Sequence, residues 1–149
     1  MYDINKLKKL REKTGISFSL CKKALEETNN DLNKAKKLLS QWGADKAKDK
    51  ESKETKVGAI FSYVHHNRKL ASLVEIVCET DFVSNNDNFK QLGQEIAIQI
   101  ASLKPQSIDE LLNQEYVRDP SKKISDLIKD SILKFGENIK INRILYWEI

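Results

Sequence analysis

The residue types that most often carry catalysis are few in this chain and poorly arranged. The two histidines, His65 and His66, are adjacent; because neighbouring strand residues point to opposite faces, we do not expect them to bind one metal ion together. Cys21 and Cys78 lie far apart in apolar or helical surroundings, which favours two reduced, buried thiols over a disulfide or a zinc site. The sequence has no glycine-rich phosphate loop, nucleophile elbow or HExxH motif. We therefore expect no catalytic residue, no metal ion and no cofactor.

One connector has an unusual composition for a loop. Residues 78–87 lead from a predicted strand to a predicted helix and are mostly polar, but Phe82 and Val83 place two large apolar side chains among them. Loops usually present polar side chains to water. Two interpretations remain open. Either Thr80 or Asp81 caps a turn while Phe82 and Val83 fill the core, or Phe82 projects outward as an aromatic anchor for another protein.

The charge of the chain is unevenly distributed. Of the 149 residues, 32% are charged and 40% are hydrophobic, and no stretch approaches the roughly 18 successive apolar residues of a membrane-spanning helix. The first residues lack the apolar block of a secretory signal, which indicates an intracellular address. Residues 1–56 contain 15 Lys and Arg against 9 Asp and Glu, a net charge of +6, whereas residues 57–149 contain 11 against 13, a net charge of −2.

The basic N-terminal part raises the alternative that the chain is a small nucleic-acid-binding protein. Its lysines are interspersed with acidic residues, and no arginine-rich or aromatic patch accompanies them. This pattern favours a solvated helical surface, so we expect no direct contact with nucleic acid.

Three short amphipathic helices are predicted for residues 1–43. Their ends are marked by residues that favour caps and turns: Asp3 and Thr14–Gly15 for the first helix, Ser17 for the second, Asn29–Asp31 and Gly43 for the third. Each helix has an apolar face, formed in turn by Ile4, Leu7 and Leu10, by Phe18, Cys21, Ala24 and Leu25, and by Leu32, Ala35, Leu38, Leu39 and Trp42.

A polar segment separates these helices from a different pattern. Residues 44–56 have almost no apolar side chains and predict a linker, either helical or disordered. Residues 57–64 and 70–78 then read as strands, with the polar turn His66–Lys69 between them, so the pair predicts a β-hairpin.

Helical spacing returns after the hairpin. Apolar residues between 89 and 103 predict a helix that Pro105 ends, and Ser107 is expected to cap a short helix. Asp119–Pro120 predicts the start of a further helix that stops at Gly136, because Asp caps free amides and Pro suits the first helical position.

The last segment predicts a third strand. Residues 139–149 alternate in polarity, with Arg143 on the apolar side. The order of elements favours an α+β fold with a three-helix module at 1–43, a charged linker at 44–56 and a core domain at 57–149, in which helices cover one face of a three-stranded antiparallel sheet. The other face should keep apolar surface for a partner or a second copy, because five residues cannot all lie under the helices: Tyr63, Leu73, Val77, Tyr146 and Trp147.

Four separated motifs, in collinear order, resemble the elongation factor Ts family. They are Leu10 to Gly15 followed by Cys21 to Leu25, similar to the family's ubiquitin-associated-like module; Val74 to Cys78; Thr80-Asp81-Phe82-Val83, which resembles the family's TDFV signature; and Gly136 to Ile139 followed by Arg143, similar to its closing motif. Residues 16–20 depart from the family's usual pattern. The chain also has room for one core subdomain, whereas long members have two.

The resemblance implies a non-enzymatic guanine nucleotide exchange factor that acts on the translation GTPase EF-Tu in the bacterial cytoplasm or in an organelle. It implies that the TDFV loop loosens the magnesium and phosphate site of EF-Tu, and that the N-terminal module also binds the GTPase domain. Short relatives pair two copies through their sheets, so a homodimer is implied as well. The corresponding partner-binding residues here are Thr80, Asp81, Phe82 and Val83 in the loop and Leu10, Arg11, Thr14, Gly15, Phe18 and Ser19 in the module.

Overall fold

The computed structural model describes residues 1–149 and has seven helices and five strands. In chain order they are α1 (Ile4–Thr14), α2 (Phe18–Glu27), α3 (Leu32–Lys50), β1 (Val57–Val64), β2 (Leu70–Cys78), α4 (Asp81–Ser84), α5 (Asp87–Leu103), α6 (Ile108–Asn113), β3 (Glu115–Tyr116), β4 (Asp119–Lys123), α7 (Ile124–Phe135) and β5 (Ile139–Glu148). The α+β fold class is confirmed. No helix has the length and apolar composition needed to cross a membrane.

The chain divides into two compact units. The first contains Met1–Glu51 and Lys129–Gly136, and the second contains Ser52–Ile128 and Glu137–Ile149. The division after Glu51 falls inside the predicted linker at 44–56, and the second half of α7 belongs to the same unit as the N-terminal helices.

The first unit is built on α1, α2 and α3, and these helices begin where the sequence predicts. Asp3 accepts hydrogen bonds from the amides of Asn5 (2.9 Å) and Lys6 (3.3 Å), and Gly15 ends α1 with φ +66°. Its core is formed by Leu7, Leu10, Ile16, Cys21, Ala24, Leu25, Ala35, Leu39 and Leu133. Two residues of the predicted apolar faces are exposed, Ile4 at 56% and Phe18 at 45%, because three short helices leave the outer edges of these faces uncovered.

The prediction that the third helix stops at Gly43 is wrong, since α3 continues to Lys50. Gly43 is buried, and a Cβ atom there would lie 3.1 Å from the carbonyl oxygen of Lys129. Glycine therefore serves close packing at this position and does not end the helix. Much of the predicted linker is helical because Ala and Lys within residues 44–50 are good helix formers.

The second unit contains an antiparallel sheet in the order β1-β2-β5. Helix α5 packs on its inner face: the Ser72 hydroxyl donates to the carbonyl of Ala97 at 2.6 Å, and the ring of Phe61 lies against Gly93, where a Cβ atom would overlap the ring. The predicted hairpin, the helix ended by Pro105 and the last strand are confirmed.

A β-bulge changes which residues of β5 face outward. Glu75 pairs with Arg143 but Ile76 pairs with Ile141, so Asn142 has no partner in the register. The extra residue places Arg143 on the open face, where its Nε donates to Glu75 Oε2 at 2.7 Å. The alternating pattern places Arg143 on one face with Ile139, Ile141, Leu145 and Trp147, but the bulge leaves Ile139 and Ile141 buried and puts Leu145 and Trp147 with Arg143 on the open face. The prediction of a single apolar face for this strand is therefore wrong.

The predicted helix start at Asp119–Pro120 is also wrong, because these residues begin strand β4 and α7 starts at Ile124. Asp119 Oδ1 accepts from the amide (3.2 Å) and hydroxyl (2.6 Å) of Ser121, so Asp119 stabilises a local turn. Asp126 marks the helix start instead, since its Oδ2 accepts from the amide of the last residue of β4 at 2.9 Å.

The β3–β4 hairpin, which was not predicted, is attached to α5 by side-chain contacts that include an ion pair of Arg118 with Glu95 at 2.8 Å. Gln99 is fully buried; it donates to the carbonyl of Glu115 and accepts from the amide of Val117, both at 3.0 Å. The Tyr116 hydroxyl donates to Glu95 Oε2 at 2.8 Å. Burial, followed by this contact with a carboxylate, raises the pKa of Tyr116 to about 12.

Candidate partner-binding site

The loop after β2 separates its two apolar side chains. Helix α4 is a single turn in which Phe82 is 83% exposed and Val83 is 4% exposed. Each of the two open interpretations is therefore right for one residue, since Val83 fills the core and Phe82 projects into solvent. A large aromatic side chain that is exposed in the free chain is available to fill a pocket on another protein.

The start of this loop is held by a carboxylate from a distant part of the chain. Glu137 Oε1 accepts from the amides of Glu79 (3.2 Å) and Thr80 (3.0 Å), and Glu137 Oε2 accepts from the Thr80 hydroxyl at 2.7 Å. In return, the amide of Asn138 donates to Glu79 Oε2 at 2.6 Å. These bonds join the end of β2 to the start of β5.

The rest of the loop is closed by backbone hydrogen bonds. The amide of Ser84 donates to the carbonyl of Thr80 (3.3 Å) and the amide of Asn85 donates to that of Asp81 (3.0 Å). The Cys78 thiol also donates to the Thr80 carbonyl, at 3.2 Å. Burial, and next the negative charge of Glu137, raise the pKa of Cys78. The thiol therefore stays protonated and keeps this bond.

Asp81 presents an unpartnered charge beside the exposed ring. Its side chain is exposed and forms no hydrogen bond or ion pair within the chain. The loop thus offers a partner one aromatic ring and one carboxylate from adjacent residues, on a backbone that is fixed at both ends.

The module residues implied by the family resemblance gather around the turn between α1 and α2. Arg11 and Ser19 are exposed and Phe18 is 45% exposed, and the Phe18 ring meets Tyr2 edge to face at 6.1 Å. These side chains are open to contact. Leu10 is fully buried and can act only by holding the helix in place.

The remaining two module residues shape the turn itself. The Thr14 hydroxyl donates to the carbonyl of Leu10 at 2.7 Å and accepts from the amide of Ile16 at 3.2 Å. Gly15 has φ +66°, and a Cβ atom there would lie 2.5 Å from Lys134 Nζ. A larger residue at position 15 would therefore strain the backbone and displace Lys134.

The open face of the sheet has an apolar surface that we call the outer sheet patch. It consists of Ile60 (63% exposed), Val64 (61%), Leu73 (43%), Leu145 (43%) and Trp147 (73%). A groove of about 270 Å³ crosses it between Ile60, Leu73 and Leu145 and is bordered by the Glu75–Arg143 ion pair. Among the five residues that cannot all lie under the helices, Leu73 and Trp147 are exposed on this open face. The Tyr146 hydroxyl instead accepts a hydrogen bond from Gln106 Nε2 at 2.8 Å.

The two histidines are arranged differently from the prediction. Strand β1 ends at Val64, so His65 and His66 lie in the turn, and their ring centroids are only 4.2 Å apart. The expectation that they point to opposite faces is wrong. His65 Nδ1 is 2.7 Å from the Tyr63 hydroxyl, and no group of three or more potential metal ligands forms around them.

Comparison with known proteins identifies the family. Residues 79–149 match the family model "Elongation factor TS", and residues 2–48 match "Elongation factor Ts, mitochondrial, N-terminal". The chain is 37% identical to elongation factor Ts of Coprothermobacter proteolyticus, with 96% of this chain and 95% of the relative covered. It is 36% identical to that of Thermodesulfovibrio yellowstonii (96% and 94% covered) and 37% identical to that of Thermotoga maritima (96% and 94%).

The chain belongs to the elongation factor Ts family. The family name assigns its members to the elongation step of protein synthesis. The alignment with the Coprothermobacter relative spans 188 positions, 39 more than the 149 residues of this chain, so at least that many positions have no counterpart here. This elongation factor Ts homologue is therefore shorter than its relatives and retains both regions that the family models match.

Sequence reasoning did not assign a role to Glu137 and Asn138, although both lie in the motif that resembles the family's closing segment. Their partners at residues 79 and 80 are 57 to 59 positions away in sequence. The signal in the sequence is a Glu-Asn pair between the glycine that ends a helix and the start of a strand. This signal does not reveal which backbone amides donate to the Glu137 carboxylate.

Proposed function

We propose that this elongation factor Ts homologue binds EF-Tu and accelerates the release of GDP from it. The observation that carries the proposal is the exposed ring of Phe82 on a loop whose start is hydrogen-bonded to Glu137. A rigid loop loses little conformational entropy when it binds, so more of the contact free energy is available for changing the partner.

In this proposal the loop residues have distinct roles. Phe82 inserts beside the magnesium and phosphate site of EF-Tu, and Asp81 orients the loop through a hydrogen bond to the partner. Val83 anchors the loop in the core, and Thr80 fixes its start. Burial of one phenyl ring contributes about 1.5 to 3 kcal/mol, so several other contacts are needed to displace a tightly bound nucleotide.

The N-terminal module supplies those further contacts to the GTPase domain. Arg11, Phe18 and Ser19 are available on its surface, while the buried or turn-forming Leu10, Thr14 and Gly15 hold them in place. The protein acts where translation takes place, in the bacterial cytoplasm or in an organelle.

No covalent bond is made or broken in this process, so the protein is not an enzyme in the usual sense. Its effect is a coupling free energy, because a factor that binds empty EF-Tu more tightly than the GDP form must weaken GDP binding by the same factor. The test is the release of labelled GDP from purified EF-Tu after addition of the full chain and excess unlabelled GDP. We expect faster release, and an unchanged rate would overturn the proposal.

We also propose that two copies of the chain pair through the outer sheet patch. Support comes from its five exposed apolar side chains and from the Glu75–Arg143 pair at the groove, which can fix how two sheets align. Opposed sheets would cover Trp147, the most exposed member of the patch.

Substitution Trp147→Glu is expected to convert a dimer into a monomer, because it would bury a charge between the two sheets. Sedimentation velocity at increasing protein concentration measures this change. The control Val117→Glu alters an exposed apolar residue of the β3–β4 hairpin (43% exposed) and should leave the dimer intact. A parent chain that sediments as a monomer at about 100 μM, far above the micromolar Kd of an interface worth about 8 kcal/mol, would rule the dimer out.

A further inference from the structure

We propose that Glu137 is a positioning residue for the partner-binding loop and sets the direction in which Phe82 leaves the surface. The inference rests on the proposed function, because positioning matters only if Phe82 contacts EF-Tu. Glu137 itself need not touch the partner.

One carboxylate accepts three hydrogen bonds at the corner where the loop begins. Two come from consecutive backbone amides, those of Glu79 and Thr80, and the third comes from the Thr80 hydroxyl. Bonds to an ionised acceptor are roughly twice as strong as neutral ones. Two consecutive amides fixed to one oxygen leave the peptide plane between them little freedom to rotate.

Thr80 occupies the N-cap position of α4 without capping it. Its backbone is extended, with φ −131° and ψ 154°, and its side chain makes no hydrogen bond to the amides of the helix. A threonine at this position usually accepts from such an amide. Here the hydroxyl donates to Glu137 instead, so the chain gives up a local cap for a tether to a distant segment.

Helix α4 needs such a tether to keep its orientation. It has four residues, and one helical turn has almost no stability of its own. Val83 and Ser84 hold the second half of the turn in the core, at 4% and 8% exposure. Both lie after Phe82, so the Glu137 bonds at Thr80 fix the other end of the turn, two residues before the ring.

Glu137 is in turn held by its neighbour. Asn138 is 2% exposed, its amide donates to Glu79 Oε2 at 2.6 Å, and its side-chain Nδ2 donates to the carbonyl of Lys53 at 2.8 Å. The backbone that carries the Glu137 carboxylate is therefore itself held in place. The carboxylate ties the loop to the start of β5, which is anchored independently.

The experiment compares Glu137→Ala with Glu137→Gln in the full chain. Alanine removes every bond to the loop. Glutamine keeps an oxygen for the two backbone amides, and its NH2 group can donate to the Thr80 hydroxyl. If the loss of the tether leaves about one molecule in ten with the loop correctly oriented, the stimulated rate of GDP release at sub-saturating concentrations of the chain falls about tenfold for alanine. Glutamine should restore it to within about threefold of the parent.

A second readout does not involve EF-Tu. Hydrogen exchange of the Glu79 and Thr80 amides should speed up in Glu137→Ala, while the amides of α5 exchange at the parent rate. The control Glu54→Ala removes a carboxylate that is 79% exposed and paired only with Lys56 at 3.5 Å, and it should change neither readout.

The outcomes separate the two proposals. Phe82→Ala inactive with Glu137→Ala fully active would overturn the positioning role and leave the proposed function standing. Faster exchange throughout α5 in Glu137→Ala would show a general structural role and overturn the positioning role as well. Full stimulation by Phe82→Ala would remove the proposed role of the loop itself, and the positioning role with it.

Discussion

Substitution Phe82→Ala is expected to lower the stimulated rate of GDP release from EF-Tu by about 10- to 150-fold. This range corresponds to the loss of about 1.5 to 3 kcal/mol of phenyl burial in the complex, at about 1.4 kcal/mol for each factor of ten. Because the ring is 83% exposed in the free protein, the free energy of unfolding should change by less than about 0.5 kcal/mol. Release of a fluorescent GDP analogue and denaturant unfolding measure the two quantities.

Val117→Ala is the matched control for this experiment. Val117 is an exposed apolar residue on the β3–β4 hairpin and has no role in the proposed contact, so its removal should leave both measurements unchanged. Stimulation by Phe82→Ala equal to that of the parent would contradict the assignment of the loop.

Substitution Phe89→Ala is expected to have the opposite profile. Phe89 on α5 is fully buried and its ring packs against Phe61 at a centroid distance of 5.9 Å, so truncation leaves a cavity and lowers the free energy of unfolding by about 3 to 5 kcal/mol. At a temperature where the variant is still folded, the stimulated release rate per folded molecule should stay near that of the parent. Denaturant unfolding followed by circular dichroism gives the stability.

The pair Phe82→Ala and Phe89→Ala separates exposure from burial for one residue type. Phe82→Ala should lose most of the stimulated GDP release and keep its stability. Phe89→Ala should lose stability and keep the stimulated GDP release. A Phe89→Ala protein as stable as the parent would show that α5 does not pack on the sheet as described.

The parts of the fold that were predicted correctly have local signals. Asp3 and Ser17 cap the helices that follow them, and Pro105 lies two residues after the end of α5. The β1–β2 hairpin follows from two alternating runs around a polar turn. In each case the determining interaction spans only a few residues, so sequence spacing is enough.

The errors occur where a distant contact decides the structure. Glycine ends many helices, but Gly43 lies within α3 against the backbone of Lys129. No local sequence pattern shows that contact. The bulge at Asn142 moves Arg143 to the open face of the sheet, and an alternating pattern cannot reveal one inserted residue. Asp119 stabilises a turn with Ser121, a role that competes with helix capping for the same residue type.

The candidate site divides in the same way. The composition of residues 78–87 singles out Phe82 and Val83, because they are two large apolar residues in a polar connector. Which of them faces outward depends on the packing of α4, and the role of Glu137 depends on a pairing across 57 residues. Both required the folded structure.

Stopped-flow release of fluorescent GDP from EF-Tu, recorded over a series of concentrations of the full chain, tests the central claim most directly. The account predicts that the rate constant rises with concentration and reaches a plateau well above the intrinsic rate. Such a plateau is the kinetic sign that both proteins form a complex from which GDP dissociates faster. A rate constant that stays at the intrinsic value at every concentration would contradict it.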